Sequence, residues 1–556
     1  MTLLRHGFYV FGTIDYPSLI RGGHNFYSLR VSSEPVFSQW HNYDIVVALD
    51  AKTIRLHESQ IVPGGAMIYD SDQVTNRETG LLEDVALFPI PLTSITKQLE
   101  GPTVLRNTAA LGASASVLGM SFEMLRDGIQ HTFASKGDLI VEQNLKAAQI
   151  GFDNAQEEHK DREVHSLAGQ PRHEQPLLLL TGNEAVGIGA IASGCKFYSA
   201  YPMTPATGLL HFMVSQSERY GIVVLQAESE IGAINMCAGA AFAGVRTMTA
   251  TSGGGFSLMT EGLGMIGMTE LPVVIMLGQR YGPSTGLPTY TSQADLRFAV
   301  HASQGEFPRL VVAPGDIQEC FRVTVDAFNL ADQFQIPVII MTDKHLQESH
   351  HWAEPFPLDE VRIDRGKMIS MDGYQGETPY RRFELTPDGI SPRVLPGTVG
   401  ATVHSDSAEH SEIGFFEQTA ENAAKMTDKR FRKFEELEKY VARHEAVKMH
   451  GVRRAKSMVV GWGSTKGAIL EAQRILKRKK VNVSFLQILY LHPFPVDAVK
   501  KALQGRNCIL VETNRTAQLA SLIKEHVGFE FRHKILRYDG RPFDPVPLSD
   551  QILEAL

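Results

Sequence analysis

Cysteine is scarce in this chain, and where it stands matters more than how much there is. Cys195, Cys237, Cys320 and Cys508 lie far apart and form no CxxC pair. That excludes a zinc or iron–sulfur site of local spacing and leaves four reduced, mostly buried thiols as the expectation. Long apolar runs are missing too: none reaches the ~18 uninterrupted residues that a spanning helix requires. The opening residues carry Arg5, His6 and Asp15 among scattered aromatics, unlike a secretory signal. A surplus of positive charge is also absent, and the formal net charge of -8 argues against a nucleic-acid or membrane-surface role. No GxGxxG nucleotide fingerprint occurs in residues 1–153. A soluble cytoplasmic protein is the expectation that remains.

What is present is an ordinary globular composition, 43% hydrophobic and 21% charged over 556 residues, enough for about three or four domains. The most informative stretch is residues 226–280, which begins QAESEIGAINMCAGAAFAGVRTMTATSGGGFSLMTEG. An apolar run at 222–225 reads as a buried strand that stops at the acidic pair Glu228 and Glu230. Small and apolar residues at 231–243 then predict a helix packed closely on a sheet. A strand at 246–251, the turn Ser252-Gly253-Gly254-Gly255, a helix at 256–268 and a strand at 271–277 follow. Strand and helix in strict alternation imply a parallel sheet with right-handed crossovers.

The rest of the chain divides around this stretch. Residues 1–153 read as a first α/β unit, with strands at 8–11, 20–32, 44–50 and 66–70 and a small-residue helix at 107–119. Residues 154–176 are polar without any apolar period and read as a linker. The central α/β unit occupies 177–344 and continues with a strand at 310–312, a helix at 317–332 and a strand at 337–341. Residues 345–456 form a connecting segment rich in proline, histidine and charge. Its clearest element is 425–441, where Phe431, Phe434, Leu437 and Val441 share one helical face and the charges are expected to be solvated. Residues 457–556 alternate strand and helix again, and the basic cluster at 477–480 ends a helix, where the macrodipole favours cations.

Taken singly, the candidate residues are weak signals. Glu230 stands where a strand hands over to a helix and reads either as a capping carboxylate or as a functional one. Thr204, within AYPMTPAT, sits in a rigid two-proline turn able to present a hydroxyl. Arg280 ends a strand and enters the loop GPSTGLPT, where a guanidinium either clamps a carboxylate or anchors the loop. Ser252 to Gly255, before a helix, either approach an anion or let backbone pass. All of these fall on one strand-end face, where open parallel sheets bind ligands. His404 and His410, in HSDSAEH, fit no tight ligand spacing, so no metal is expected there. Residues 512–520 join a strand to a helix and pin either a ligand or a neighbouring domain.

Together, GNEAVGIGAIASGCKFYSAYPMTPAT, the 226–262 stretch, QRYGPSTGLPTYTSQAD and YDGRPF resemble the α subunit of 2-oxoacid:ferredoxin oxidoreductases, most closely the 2-oxoglutarate type with a γ domain fused ahead of α. The resemblance covers nearly the whole chain. It implies an α/β fold of several doubly wound units: a γ-type domain, a pyrimidine-type thiamine diphosphate domain and a transketolase C-terminal-like domain. It assigns Glu230 to the cofactor's aminopyrimidine ring, where a carboxylate promotes loss of the thiazolium proton. Glu228 competes, but Glu230 keeps the register of the glycines and alanines that follow. Thr204 is implied beside the substrate carbonyl and Arg280 at the substrate carboxylate. Tyr201, Pro202, Ser252 and Gly253 are implied to line the cofactor.

Two departures stand out. Where the family usually has SGPG this chain has Ser252-Gly253-Gly254-Gly255, and the γ-like unit lacks a glycine-rich strand–turn–helix before GFYVFGTIDYPSLIRGGH. The second leaves this unit's coenzyme A contacts unassigned. There is also no GDG followed at a suitable distance by asparagine, the pattern that holds thiamine diphosphate through magnesium. The resemblance therefore implies that Mg2+ and a [4Fe–4S] cluster belong to a separate β subunit, that thiamine diphosphate is shared with it, and that the assembly is (αβ)2. The reaction implied takes a 2-oxoacid and coenzyme A to an acyl-CoA and CO2, with electrons passing to ferredoxin. Pyruvate or a branched-chain 2-oxoacid are the alternative substrates. A non-catalytic scaffold subunit is the alternative of another class; a self-contained transketolase-like enzyme is opposed by the missing diphosphate motif.

Overall fold

Apolar runs without alternation belong to strands covered on both faces, and Val273–Gln279 and Pro337–Asp343, buried at every position, are such strands. They lie side by side in a seven-stranded sheet in the order Tyr490–His492, Leu310–Val312, Pro337–Asp343, Val273–Gln279, Thr247–Thr251, Phe197–Ala200 and Val223–Gln226. Every pairing is parallel except that of Tyr490–His492 with Leu310–Val312. The computed structural model describes residues 1–19, 22–75, 84–158, 166–167, 169–170, 172–369 and 373–556.

The chain falls into two units, Met1–Val10 with Arg30–Leu177, and Phe11–Leu29 with Leu178–Leu556. The first carries a parallel sheet of Tyr43–Ala48, Ile61–Asp70 and Ala86–Ile90. Its small-residue helix spans Leu105–Val117 and packs on Asp138–Glu158 so closely that side chains are excluded at the crossing. A Cβ on Gly112 would overlap the carbonyl of Ala148, and one on Gly151 the carbonyl of Ala109. The Asp138–Glu158 helix continues past Asn154, where the linker was expected to begin. Residues 159–165, 168 and 171 lie outside the described residues.

The second unit holds the expected strand–helix alternation. Val223–Gln226, the helix Glu230–Phe242, Thr247–Thr251, the helix Gly253–Met268 and Val273–Gln279 follow one another in sequence. The first of these strands sits at the sheet edge, because Phe197–Ala200 inserts between it and Thr247–Thr251. Local signals fix the helix ends. Asp316 caps Ile317–Phe334 by accepting from Glu319 N, and Gln335 ends it in the left-handed region at φ 51°. Thr181 and Glu184 form a reciprocal capping box at the start of Gly182–Ala192.

Three features of this unit were not legible locally. Phe11 and Gly12 pair antiparallel with His351 and His350, which is why Phe11–Leu29 belongs here and not with the first unit. The C-terminal sheet takes Val447–Gly451 as an antiparallel neighbour of Val483–Ile488, and Tyr490–His492 leaves that region to join the central sheet. One hydrophobic cluster accordingly runs from Ile275 and Met341 to Trp462, Leu486 and Leu510. The charges of the Ala420–Arg443 helix also correct the expectation of a solvated face, for Lys429, Arg430 and Lys433 are buried. Lys429 and Lys433 donate to Glu270 at 2.7 and 2.6 Å, and Arg430 donates to Glu409 at 2.7 Å. A carboxylate distant in sequence makes burial of these cations tolerable. Among the described residues no helix is long and apolar enough to cross a membrane.

Candidate active site

The carboxyl ends of Phe197–Ala200, Thr247–Thr251 and Val273–Gln279 bring Thr204, Ser252 and Arg280 to one edge of the central sheet, and Glu230 joins them from the start of the next helix. Ser229, not Glu230, is the N-cap: its hydroxyl accepts from Gly232 N at 3.3 Å. The capping role that the sequence left open for Glu230 is therefore filled by its neighbour. Glu228 is exposed, whereas Glu230 is 3% exposed, so burial separates the two candidates. Glu230 Oε1 is buried and accepts no hydrogen bond. It is the single buried carboxylate oxygen in that condition among the described residues. Such an oxygen costs about 1–3 kcal/mol or more when it carries charge, which the positive end of the Glu230–Phe242 helix relieves in part.

Glycines shape the space around this carboxylate. Gly255 lies under it, and a Cβ there would stand 2.5 Å from Glu230 Oε1 while overlapping Thr251 Oγ1. A Cβ on Gly253 would stand 2.5 Å from Asp295 Oδ2, whereas Gly254 faces open space. Ser252 occupies the N-cap position of Gly253–Met268, yet its hydroxyl is fully buried and neither caps the helix nor finds another partner.

Arg280 is tied to the Thr204 turn by Nη1 donating to Thr204 O at 2.8 Å. The contact uses the threonine's carbonyl and leaves its hydroxyl for other work. Burial lowers the pKa of Arg280, while Asp295 and Glu230 nearby raise it. Asp295 is pushed up to about 6 by burial, against the pull of Arg280. The geometry thus gathers Glu230, Thr204, Ser252, Gly253 and Arg280. Tyr201 stands exposed and Pro202 half-buried where the Thr204 turn begins.

Asp295, Gln279, Thr251 and Gly255 complete the site and were given no individual role by sequence. All four lie inside motifs already singled out, Asp295 as the last letter of QRYGPSTGLPTYTSQAD. The other candidates make local contacts. His404 Nδ1 meets Gly414 O at 2.7 Å and His410 Nδ1 meets Ala408 O at 2.9 Å, which anchors their loop. Residues 512–520 pin a neighbouring segment: Thr513 N donates to Gln293 Oε1 and Asn514 Nδ2 to Gln293 O. Among the described residues no group of three or more His, Cys, Asp or Glu is placed to hold a metal ion.

Comparison with known proteins bears on the chain as a whole. Residues 188–431 match the family model described as pyruvate flavodoxin/ferredoxin oxidoreductase, thiamine diphosphate-binding. Residues 1–154 match pyruvate ferredoxin/flavodoxin oxidoreductase, and 455–545 match pyruvate:ferredoxin oxidoreductase core domain II. The fold and the matching family models therefore define a thiamine diphosphate-binding domain within an oxidoreductase subunit. The chain is 35% identical to the 2-oxoacid:ferredoxin oxidoreductase subunit alpha of Saccharolobus solfataricus, over 99% of this chain and 93% of that one. It is 28% identical to the 2-oxoglutarate oxidoreductase subunit KorA of Mycobacterium tuberculosis, over 92% of this chain and 81% of that one. A solved 2-oxoglutarate:ferredoxin oxidoreductase from Magnetococcus marinus, with 2-oxoglutarate, coenzyme A and succinyl-CoA bound, superposes with a TM-score of 0.90 at 31% identity, covering 100% of this chain and 95% of that one. The chain belongs to the α subunits of the 2-oxoacid:ferredoxin oxidoreductases.

Proposed function

We propose that this chain, with a β subunit, catalyses the oxidative decarboxylation of 2-oxoglutarate with coenzyme A to succinyl-CoA and CO2, or the reverse carboxylation, exchanging electrons with ferredoxin. The carrying observation is the buried, unpartnered Oε1 of Glu230 at the strand ends, with the Arg280 guanidinium within its electrostatic reach. That oxygen fits a hydrogen-bond donor on the aminopyrimidine ring of thiamine diphosphate, and Ser252 Oγ, likewise buried and unpartnered, faces the same need. Tyr201, Pro202 and Gly253 would line the ring's surroundings. When bound, thiamine diphosphate supplies the nucleophilic carbon for the oxoacid carbonyl and the sink for the electron pair released with CO2.

The chain's own residues act around that group. Glu230 holds and exchanges a proton at the ring through Oε1. Arg280, steadied on Thr204 O, binds an oxoacid carboxylate and so sets the reacting carbonyl against the cofactor. Thr204 offers its hydroxyl beside that carbonyl. Closure of the site would strip water from the carboxylate to be lost. Ile231, Met236 and Leu258 on the two helices nearest the site, with Val223 and Leu225 on the edge strand, are exposed. An apolar surface beside an unfilled carboxylate supports a site closed by a partner chain. Mg2+, the [4Fe–4S] cluster and the (αβ)2 assembly are assigned to that partnership, in the cytoplasm. The scaffold alternative leaves the orphaned Glu230 oxygen without a purpose.

The test is co-purification with the β partner and assay of 2-oxoglutarate, pyruvate and a branched-chain 2-oxoacid with coenzyme A and a viologen acceptor. Highest kcat/KM on 2-oxoglutarate is expected, with Glu230→Gln lowering turnover about 10²–10⁴-fold. Preference for pyruvate would overturn the substrate, and unchanged turnover in Glu230→Gln the role of the carboxylate.

A further inference from the structure

The C-terminal domain is charged against the rest of the chain. Residues 447–556 carry 19 Lys and Arg against 9 Asp and Glu, a formal 19 − 9 = +10 in a chain whose total is -8. The surplus is not spread evenly. Ser457–Gly461, Val483–Ile488, Asn507–Glu512 and His533–Leu536 run parallel, so all four begin at one edge of their sheet. Cations gather in the segments that lead into or open those strands: 453–456, 477–480, 500–506 and 532–534. Two of these segments have a local explanation. Lys477 and Arg478, like Lys500 and Lys501, occupy the last turns of Thr465–Arg478 and Val496–Leu503, where the macrodipole favours cations. Arg453, Arg454 and Lys456 lie between two strands and Arg532 and Lys534 at the start of another, and no helix end accounts for them.

Apart from Arg506, which is half-buried and donates to Arg453 O at 2.8 Å, these cations are exposed. Among the described residues Lys479 alone of them meets a carboxylate, that of Asp550 at 2.8 Å. The opposite, carboxyl edge of the same sheet is occupied within the chain, for Thr513 and Trp462 there bond Gln293. The basic edge points away from that contact. From Arg453 to Lys534 no large apolar side chain is exposed, whereas the surface near Glu230 exposes Ile231, Met236, Leu258, Val223 and Leu225. Stable interfaces are depleted in lysine and enriched in apolar and aromatic side chains at their centres. The surface near Glu230 has the character of a lasting contact, and the basic edge has the opposite character.

We propose that this basic edge collects an acidic protein, and that the protein is the electron carrier of the reaction proposed above. The inference rests on that reading. Oxidation of 2-oxoglutarate with coenzyme A to succinyl-CoA and CO2 releases two electrons, and a carrier that takes one at a time must arrive and leave twice per turnover. Such visits need fast encounter and fast release, which charge supplies and apolar burial does not. The field of an exposed cation extends about 10 Å at 0.1 M salt, and a face of one sign raises encounter rates about 10–10³-fold. The electrons themselves leave through the cluster assigned to the β subunit; the edge raises the carrier's local concentration. An extended polyanion fits less well. Residues 1–446 carry the balance of -8 − 10 = -18 and repel a nucleic acid or an anionic bilayer that reaches past the edge.

The experiment is steady-state kinetics of the α–β holoenzyme on 2-oxoglutarate and coenzyme A, with an acidic ferredoxin and with methyl viologen as acceptors, from about 25 to about 300 mM salt. The variant combines Lys477→Gln, Arg478→Gln, Lys500→Gln and Lys501→Gln, which removes charge without placing an acid at a helix end. Wild-type kcat/KM for ferredoxin should fall about 10-fold across the salt range, and the variant should start about 10-fold lower and respond less to salt. Turnover at saturating ferredoxin, KM for 2-oxoglutarate and the rate with viologen, a small dication that the edge does not attract, should be unchanged. Equal ferredoxin kinetics in variant and wild type would overturn the inference, even where the wild type is retained on anionic vesicles or DNA. A parallel loss with both acceptors would also overturn it and make the edge a contact with the β subunit. Wild-type activity with viologen but with no ferredoxin at any salt would instead sink the proposed acceptor. A flat wild-type salt dependence overturns the inference even if the variant fails to assemble.

Discussion

The three consecutive glycines at 253–255 allow a sharp prediction, because they share a helix turn but not an environment. Gly254 faces open space, whereas a Cβ on Gly255 would stand 2.5 Å from Glu230 Oε1 and 2.8 Å from Glu230 Cγ. Restoring ordinary contact at 3.4 Å requires the carboxylate to move by 3.4 − 2.5 = 0.9 Å. None of the three has positive φ, so alanine meets no backbone penalty at either site. Alanine is favoured over glycine within helices by roughly 1 kcal/mol, and Gly254→Ala should raise the thermal midpoint of the α–β complex slightly. Gly255→Ala gains the same propensity but incurs an overpacking cost of about 1–3 kcal/mol, so its midpoint should be unchanged or lower. A displacement near 1 Å of a group that must meet a proton costs about 10²-fold in rate. Gly255→Ala should thus lose about two orders of magnitude in kcat while still assembling with its partner. Wild-type turnover in Gly255→Ala would refute the reasoning, since Glu230 would then have no need of its position.

Other outcomes follow from buried charge. Glu270→Gln leaves Lys429 and Lys433 buried without their counter-charge. It should lower stability by about 3–5 kcal/mol, read as a lower denaturant midpoint. His492 is pushed down to about 3 by burial and by the cationic fields of Arg309, His526 and His301, and its ring stacks on Phe434. Its folded pKa lies below the ordinary 6.5, so the unfolded chain binds the extra proton first. Stability is then full above about pH 6.5 and declines as pH falls, by about 2 kcal/mol at pH 5. His492→Phe should flatten that limb in thermal melts taken from pH 7 to 5, and an unaltered slope would assign it to other groups.

Much of the central sheet could be read directly, because parallel strands buried on both faces leave unbroken apolar runs and their helices start and stop at strong local signals. The candidate site was legible to the same depth: Glu230, Thr204, Ser252, Gly253 and Arg280 all mark strand ends, and the sheet brings strand ends together. What stayed hidden depends on pairing across distance. The helical period sorted Lys429 and Lys433 onto a polar face, but nothing local to them announces Glu270, which waits at a turn with φ 52° far earlier in the chain. Phe11–Leu29 reads as part of the unit around it, and its pairing with His350 and His351, with bonds such as Tyr16 to Glu348 and Lys344 to Ile14 O, moves it elsewhere.

The other buried carboxylates of the chain give the site its strongest physical argument. Glu319 accepts from Lys466, Lys448, Gln487 and the backbone N–H of Gly315. Glu270 is held between two lysines, and Glu512 accepts from Trp462 Nε1 and Leu519 N. This fold therefore has ample means to satisfy an acid that it buries. At Glu230 it withholds them: the helix N–H that a cap would take goes to Ser229, and a glycine, not a donor, lies beneath the carboxylate. An oxygen left bare in a chain that partners the others is most simply read as the acceptor for a group the chain does not itself supply. The apolar side chains exposed around it are consistent with that group arriving together with a second protein surface.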